Sequence, residues 1–156
     1  MSDTYTVERS TTIDAPPAVV FEQIADFRRW TAWSPWEAGD PTLSRTYTGP
    51  AAGAGSTYAW SGNRRSGRGR MTIVDTTEPS HVHIDLLFEK PFRSRNEIRF
   101  LIAPEGPGSR VTWRMIAPRT RAARVMSLVK SLDAMVGPDF EKGLGRLKTV
   151  AEDASR

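Results

Sequence analysis

The chain reads as an α+β domain, a curved antiparallel sheet of seven strands wrapped around one long C-terminal helix, with two short helices after the first strand. Three observations predict this. Between residues 56 and 116, apolar and polar residues alternate in segment after segment, each bounded by a turn signal, the mark of a sheet with one dry and one wet face. From Arg119 onward the period lengthens: Val125, Val129, Leu132, Val136, Phe140, Leu144, Leu147 and Ala151 recur at intervals of three and four. The length of 156 residues suits one domain, residues 1–156, with a single core. The apolar sheet face then has only this helix to bury itself against.

Each element has its own signal. Thr4 to Ile13 alternate and are rich in Thr, Val and Tyr, which predicts a strand with Tyr5 and Val7 on one face. Asp14-Ala15-Pro16-Pro17 stops the strand and starts a helix, with Asp14 or Ala15 ahead of prolines suited to a first turn. Val20, Ile24 and Phe27 share a face of that helix, which should end near Asp26. A brief second helix follows and should halt before Ser34-Pro35, since a residue before proline disfavours the α region. Gly39 to Pro41 read as a loop and Leu43 to Thr48 as an edge strand. The stretch from Gly49 to Gly55 is a turn too poor in side chains to do more than connect, and no Gly-Lys-Ser/Thr ending makes it a phosphate loop.

In the strands that follow, Ser56, Tyr58 and Trp60 point one way, as do Gly69, Met71 and Ile73 after a turn at Gly62-Asn63. Val82, Ile84, Leu86 and Phe88 alternate with His83, Asp85, Leu87 and Glu89, and a turn at Lys90-Pro91 follows. Asn96, Ile98, Phe100 and Ile102 face inward against Arg95, Glu97, Arg99 and Leu101. A hairpin at Pro104 to Ser109 leads to Val111, Trp113 and Met115. The last helix should run for roughly 30 residues, about 45 Å, with a kink where Gly137-Pro138 interrupts it. Met126, Leu128 and Met135 widen the apolar arc of its first half.

Composition narrows the function. No apolar run reaches the roughly 20 residues of a membrane span, and the N-terminus lacks the basic and apolar regions of a secretion signal. With no cysteine there are no disulfides, thiolate nucleophiles or cysteine-bound metals, which fits a cytoplasmic protein. The net charge is +4, and arginines cluster at 64, 65, 68 and 70, at 93, 95 and 99, and at 119, 121 and 124. Acidic residues are interleaved throughout, so a solvated face is favoured over a nucleic-acid or membrane-binding patch. The chain is expected to be a monomer or a homodimer.

The candidate chemistry is sparse. His81 and His83 share a strand face at a spacing that can chelate a metal, but that face is the outward one and only Asp85 is near, so no metal site is expected. A hydrolase triad would need an inward base, and no Gly-x-Ser-x-Gly elbow is present. The inward rows carry no carboxylate; Asp133 and Asp139, near the inner side of the long helix, are the remaining acid candidates. The inward polar and aromatic groups are Tyr58, Trp60, Asn96 and Trp113. Asn96 continues an otherwise apolar row, so its amide either bonds to backbone or water or meets a ligand.

Several local motifs, together covering nearly the whole chain, resemble the polyketide cyclase/dehydrase and lipid-transport superfamily of START-like, helix-grip proteins. They are Ile-Asp-Ala-Pro-Pro-Ala-Val-Val-Phe at 13–21, Trp30, Trp33 with Ser-Pro-Trp at 34–36, and Gly-Arg-Gly-Arg-Met-Thr-Ile at 67–73. Phe-Glu-Lys-Pro-Phe at 88–92, Val-Thr-Trp at 111–113 and Gly-Pro-Asp-Phe-Glu-Lys-Gly-Leu at 137–144 complete them. The resemblance implies a cavity between sheet and helix for a small hydrophobic or aromatic molecule, without a cofactor, and does not by itself imply a reaction. Its mouth would lie near Trp30, Trp33 and Trp36, which serve either as a gate or as a satellite core. The expected lining is Trp33, Trp36, Tyr58, Trp60, Met71, Ile73, Phe88, Asn96, Ile98, Trp113 and Met115, with Val129, Leu132 and Val136 from the helix. A cyclase, aromatase or dehydratase would use Tyr58 and Asn96 as its polar groups; an interaction module would use the arginine-rich outer face.

Overall fold

The computed structural model describes residues 4–35, 42–62, 67–90, 93–118 and 128–155; the side chains of residues 4, 5, 118 and 128–135 stand outside that description. Strand β1 (Thr4–Ile13) leads to helix α1 (Pro17–Ala25) and a 3-10 turn (Phe27–Ala32). Strands β2 (Ser44–Thr48), β3 (Thr57–Ser61), β4 (Arg68–Thr77), β5 (His81–Lys90), β6 (Ser94–Glu105) and β7 (Gly108–Pro118) follow, then helix α2 (Leu128–Ala154). The sheet has seven strands in the order β1-β7-β6-β5-β4-β3-β2, and every pairing is antiparallel. Strands β2 to β7 form a meander whose last strand takes β1 on its free edge.

The alternating residues fall in register across this sheet. On the inner face, Ile73, Ile84, Ile98, Met115 and Val7 form one row from β4 to β1, and Val82, Phe100, Trp113 and Arg9 form the next. Strand β4 runs four residues past Ile73 because Val74 is an extra residue: Ile73 faces Ile84 and Asp75 already faces His83. The bulge leaves Val74 exposed. Helix α1 begins one step later than its sequence signal, with extended Pro16 as cap and Pro17 as the first helical residue. Asp14 does not cap it; the Asp14 amide instead donates to Glu152 Oε2 of α2 at 2.9 Å. Gly137-Pro138 does not end the helix, since α2 is helical through Pro138. Val136 and Phe140 pack against the core on either side of it, and such packing outweighs one lost backbone bond.

One end of the inner face is filled by aromatic side chains. Trp113 stacks on Phe140 with ring centroids 4.2 Å apart and planes 7° off parallel, and Phe100 lies 5.0 Å from Trp113. Trp30 and Trp33, 4.6 Å apart, meet both rings edge-on. The two indoles also terminate α1. Trp33 Nε1 donates to the Gln23 carbonyl at 3.1 Å and Trp30 Nε1 to the Ile24 carbonyl at 2.8 Å. The Ala25 carbonyl accepts from the Gly53 amide at 3.0 Å, so the turn at Gly49 to Gly55 does more than connect. These are carbonyls that a helix end leaves without intrahelical partners. Helix α2 comes close enough for a Cβ on Gly143 to sit 2.8 Å from the Trp113 ring and 3.0 Å from Pro35.

The outer face carries the charges. Arg99 Nη1 donates to His81 Nε2 at 3.1 Å, and Arg99 also pairs with Glu97. His83 stands between Asp75, at 3.5 Å, and Glu97, at 3.0 Å. The two histidines are thus absorbed into an ion network, and no cluster of metal-binding side chains occurs among the described residues. Burial, and secondarily the Arg99 guanidinium, hold His81 below its ordinary pKa of 6.5. A neutral imidazole is also what a guanidinium donor requires as its acceptor.

Three outcomes are expected. Trp30→Phe keeps an aromatic ring but strands the Ile24 carbonyl, and should lower the free energy of unfolding by about 1–3 kcal/mol, read as a shifted denaturant midpoint at constant slope. Gly143→Ala should destabilise the fold by about 1–2 kcal/mol, although alanine is the better helix former by about 1 kcal/mol, because the added methyl meets a packed indole. For His81, the unfolded chain takes up a proton below about pH 6.5 while the folded chain resists it, so its stabilisation is complete above that value and declines as pH falls. Thermal midpoints of His81→Gln should therefore fall less than those of the parent between about pH 7 and pH 5.5; an equal fall would remove His81 from the account.

Candidate functional site

The inner face is closed at one end and loosens toward the other. Phe140, Leu144, Leu147 and Ala151 of α2 are buried over the end that holds Ile13, Val111, Trp113 and Phe100. The opposite end is built from two rows nearer the β3–β4 hairpin. Tyr47, Tyr58, Met71, Leu86 and Asn96 form one, and Trp60, Gly69 and Phe88 the other. Here the exposure rises: Met71 reaches 9%, Leu86 8% and Met115 7%, and Trp60 and Phe88 are only partly buried.

The aromatic groups of this open end contact one another in sequence. Tyr47 stacks on Tyr58 at 5.2 Å, Tyr58 meets Trp60 at 6.0 Å, and Trp60 meets Phe88 edge-on at 5.7 Å. Arg28, from the 3-10 turn, lies 4.8 Å above the Tyr47 ring, within cation–π range. Trp60 can lie flat along the sheet because its cross-strand partner is Gly69. A Cβ there would stand 2.7 Å from the indole and 2.4 Å from the Leu87 carbonyl.

Asn96 stands in this region at 5% exposure. Its one hydrogen-bond contact is a long one, 3.5 Å from Ser94 Oγ to its Oδ1, and its amide nitrogen has no partner among the described residues. The residue is nearly buried, but its amide nitrogen keeps some accessible surface, so water or a ligand can reach it.

The expected lining divides between the two ends. Tyr58, Trp60, Met71, Phe88, Asn96 and Met115 gather at the open end, and Val136 is partly buried against the core. Ile73 and Ile98 sit beneath them, nearly inaccessible, while Trp33 and Trp113 are buried inside the aromatic cluster of the closed end. Trp36 lies outside the described residues, as do the side chains of Val129, Leu132 and Asp133. Asp139 is partly buried on α2.

One inner-face residue escaped the sequence reading. Arg9 lies opposite Trp113 on β1, its guanidinium beneath Gly137 of α2, where it pairs with Glu141 at 3.7 Å and donates to the Glu8 carbonyl at 2.8 Å. Strict alternation from Val7 to Ile13 puts Arg9 inward; its charge argued for the opposite face. Two open depressions also occur, neither on the inner sheet face. One of about 390 Å³ lies between α1 and the turn at Ala52-Gly53, and one of about 270 Å³ lies on the outer face around Leu87. Among the described residues no helix is long and apolar enough to cross a membrane.

Comparison with known proteins agrees with this architecture. The fold matches the crystal structure of Ara h 8.0201 with a TM-score of 0.66 at 13% identity, covering 95% of this chain and 97% of that one. It matches TTHA0849 from Thermus thermophilus with a TM-score of 0.68 at 19% identity, covering 97% and 100%. It also matches the di-domain ARO/CYC BexL from the BE-7585A biosynthetic pathway with a TM-score of 0.69 at 15% identity, over 96% of this chain and half of that one. At these identities the likeness is one of fold. No curated protein sequence matches the chain. The family model described as polyketide cyclase / dehydrase and lipid transport spans residues 4–152, and the chain belongs to that family.

Proposed function

We propose that the protein binds one small hydrophobic or aromatic molecule, such as a lipid, a polyketide or a related metabolite, between the open end of the sheet and the first half of α2. Asn96 carries this reading. It is an amide with little exposed surface on an apolar wall, its nitrogen has no protein partner among the described residues, and a ligand oxygen can take the place of water there. Around it, Trp60 and Phe88 offer partly uncovered rings and Met71 and Met115 offer adaptable thioethers, a lining of apolar surface with few polar groups. Val136 would contribute to the opposing wall, and Ile73 and Ile98 would form the floor. Trp33 and Trp113 would hold the closed end rigid.

Binding is favoured over acid–base catalysis because the described inner sheet face presents the phenols of Tyr47 and Tyr58, the Asn96 amide and the Arg9 guanidinium but no carboxylate or imidazole. The family description joins cyclase and dehydrase chemistry with lipid transport, and each of these activities uses an apolar cavity. A cytoplasmic location and a protein active as a monomer or homodimer accompany this reading.

The test uses a neutral fluorophore, N-phenylnaphthylamine, together with native mass spectrometry of protein purified from its own host. Saturable, one-to-one binding of the fluorophore is expected, and Met71→Trp, which fills the open end, should abolish it. Asn96→Leu should leave fluorophore binding intact but weaken a co-purified oxygen-bearing ligand about tenfold, the loss of one buried hydrogen bond. Binding unaffected by Met71→Trp would place the ligand elsewhere and overturn the proposal.

A further inference from the structure

Strands β4, β5 and β6 bring together two arginine clusters that are separate in the sequence. The register sets Arg70 directly opposite Leu87, and Leu87 directly opposite Arg95, so that one outer row reads Arg-Leu-Arg across three strands. Cross-strand neighbours stand about 5 Å apart, which puts the two arginine stems about 10 Å from each other with the leucine between them. With Arg93 and Ser94 these residues line the depression of about 270 Å³. Alternation places Leu87 on the wet face; it is on that face, yet only 6% exposed. Long arginine stems can cover apolar surface while their heads stay in water.

Of the arginines around this depression, Arg95 is balanced within the protein and Arg70 and Arg93 are not. Acids occupy the neighbouring row, where Thr72 faces Asp85 and Asp85 faces Glu97. Arg95 reaches back to Asp85 at 3.1 Å, and Arg68 pairs with Glu89 at 2.8 Å. Arg70 and Arg93 make no ion pair or hydrogen bond among the described residues. The position between Arg70 and Arg95, where a carboxylate would tie both, holds a leucine instead.

We propose that this depression is an oxyanion subsite for a small ligand that joins a phosphate or carboxylate group to an apolar body about the size of one ring. Arg70 and Arg93 donate their N–H groups to the oxyanion, in the forked geometry that guanidinium groups offer such anions. Leu87 is the floor under the apolar body, and by excluding water it strengthens the charge-assisted bonds above it. Arg95 contributes less, because Asp85 already engages it. The site is on the opposite face of the sheet from the pocket proposed above, so the two readings fail independently.

Backbone chemical-shift titration with phenyl phosphate, and in parallel with inorganic phosphate, tests it. Saturable shifts centred on Arg70, Leu87 and Arg95 are expected, with phenyl phosphate the tighter ligand. Arg70→Gln, an exposed substitution that should leave the unfolding midpoint unchanged, should weaken phenyl phosphate about tenfold. Leu87→Thr should erase the preference for phenyl phosphate over phosphate, and Asp85→Asn should tighten both by releasing Arg95. Shifts that never saturate, or that survive Arg70→Gln, would overturn the proposal. So would binding to RNA or to phosphatidylglycerol vesicles without saturable phenyl phosphate binding, which would mark an extended basic surface instead.

Discussion

Three carbonyl groups at the end of α1 set the terms for the rest of the molecule. Gln23, Ile24 and Ala25, all buried residues, end a nine-residue helix. A buried carbonyl without a donor is costly. Two of the three are answered by indole N–H groups from Trp33 and Trp30, and the third by the backbone of Gly53. Meeting that demand holds two tryptophans under α1, and their rings then abut Phe100 and Trp113. Phe140 stacks on the far side of Trp113 and carries α2 with it. One requirement of hydrogen bonding thereby fills one end of the inner face.

The other end has no such filler among the described residues. The same sheet that is sealed under Phe140 and Leu144 opens toward Trp60 and Phe88, where side chains touch one another at their edges and keep some surface. The family to which the chain belongs has a name that pairs chemistry with lipid transport. Asn96 is buried among the apolar residues of the open end, and Arg9 is turned toward α2 and tied to Glu141.

The two faces of the sheet keep their chemistries apart by alternation alone. Along β5, inward Val82, Ile84 and Leu86 belong to the core, while outward His83 and Asp85 belong to an ion network of arginines and acids. Leu87 breaks the rule, an apolar residue buried on the charged side. Its neighbours Arg70 and Arg95 are related to it by register and not by sequence proximity.

Much of this was legible in the residues themselves. Period-two alternation marked β3 to β7 and their inward faces, and the stripe from Val136 to Ala151 marked the helix, because burial on one side of a regular element leaves a regular trace. The inward position of Asn96 followed from the same count. Other features depend on partners distant in the chain, and local pattern carries no record of them. The bulge at Val74 is set by how β5 pairs with β4. The continuity of α2 through Pro138 rests on packing at Val136 and Phe140. The room for the Arg9 guanidinium depends on α2 presenting Gly137 above it. Sequence alone determined which side of each strand is dry, since that is a property of neighbours two residues apart. Tertiary structure decided where the dry side is filled, where it stays open and which arginines meet, because those are properties of register and of rings that come together only in the fold.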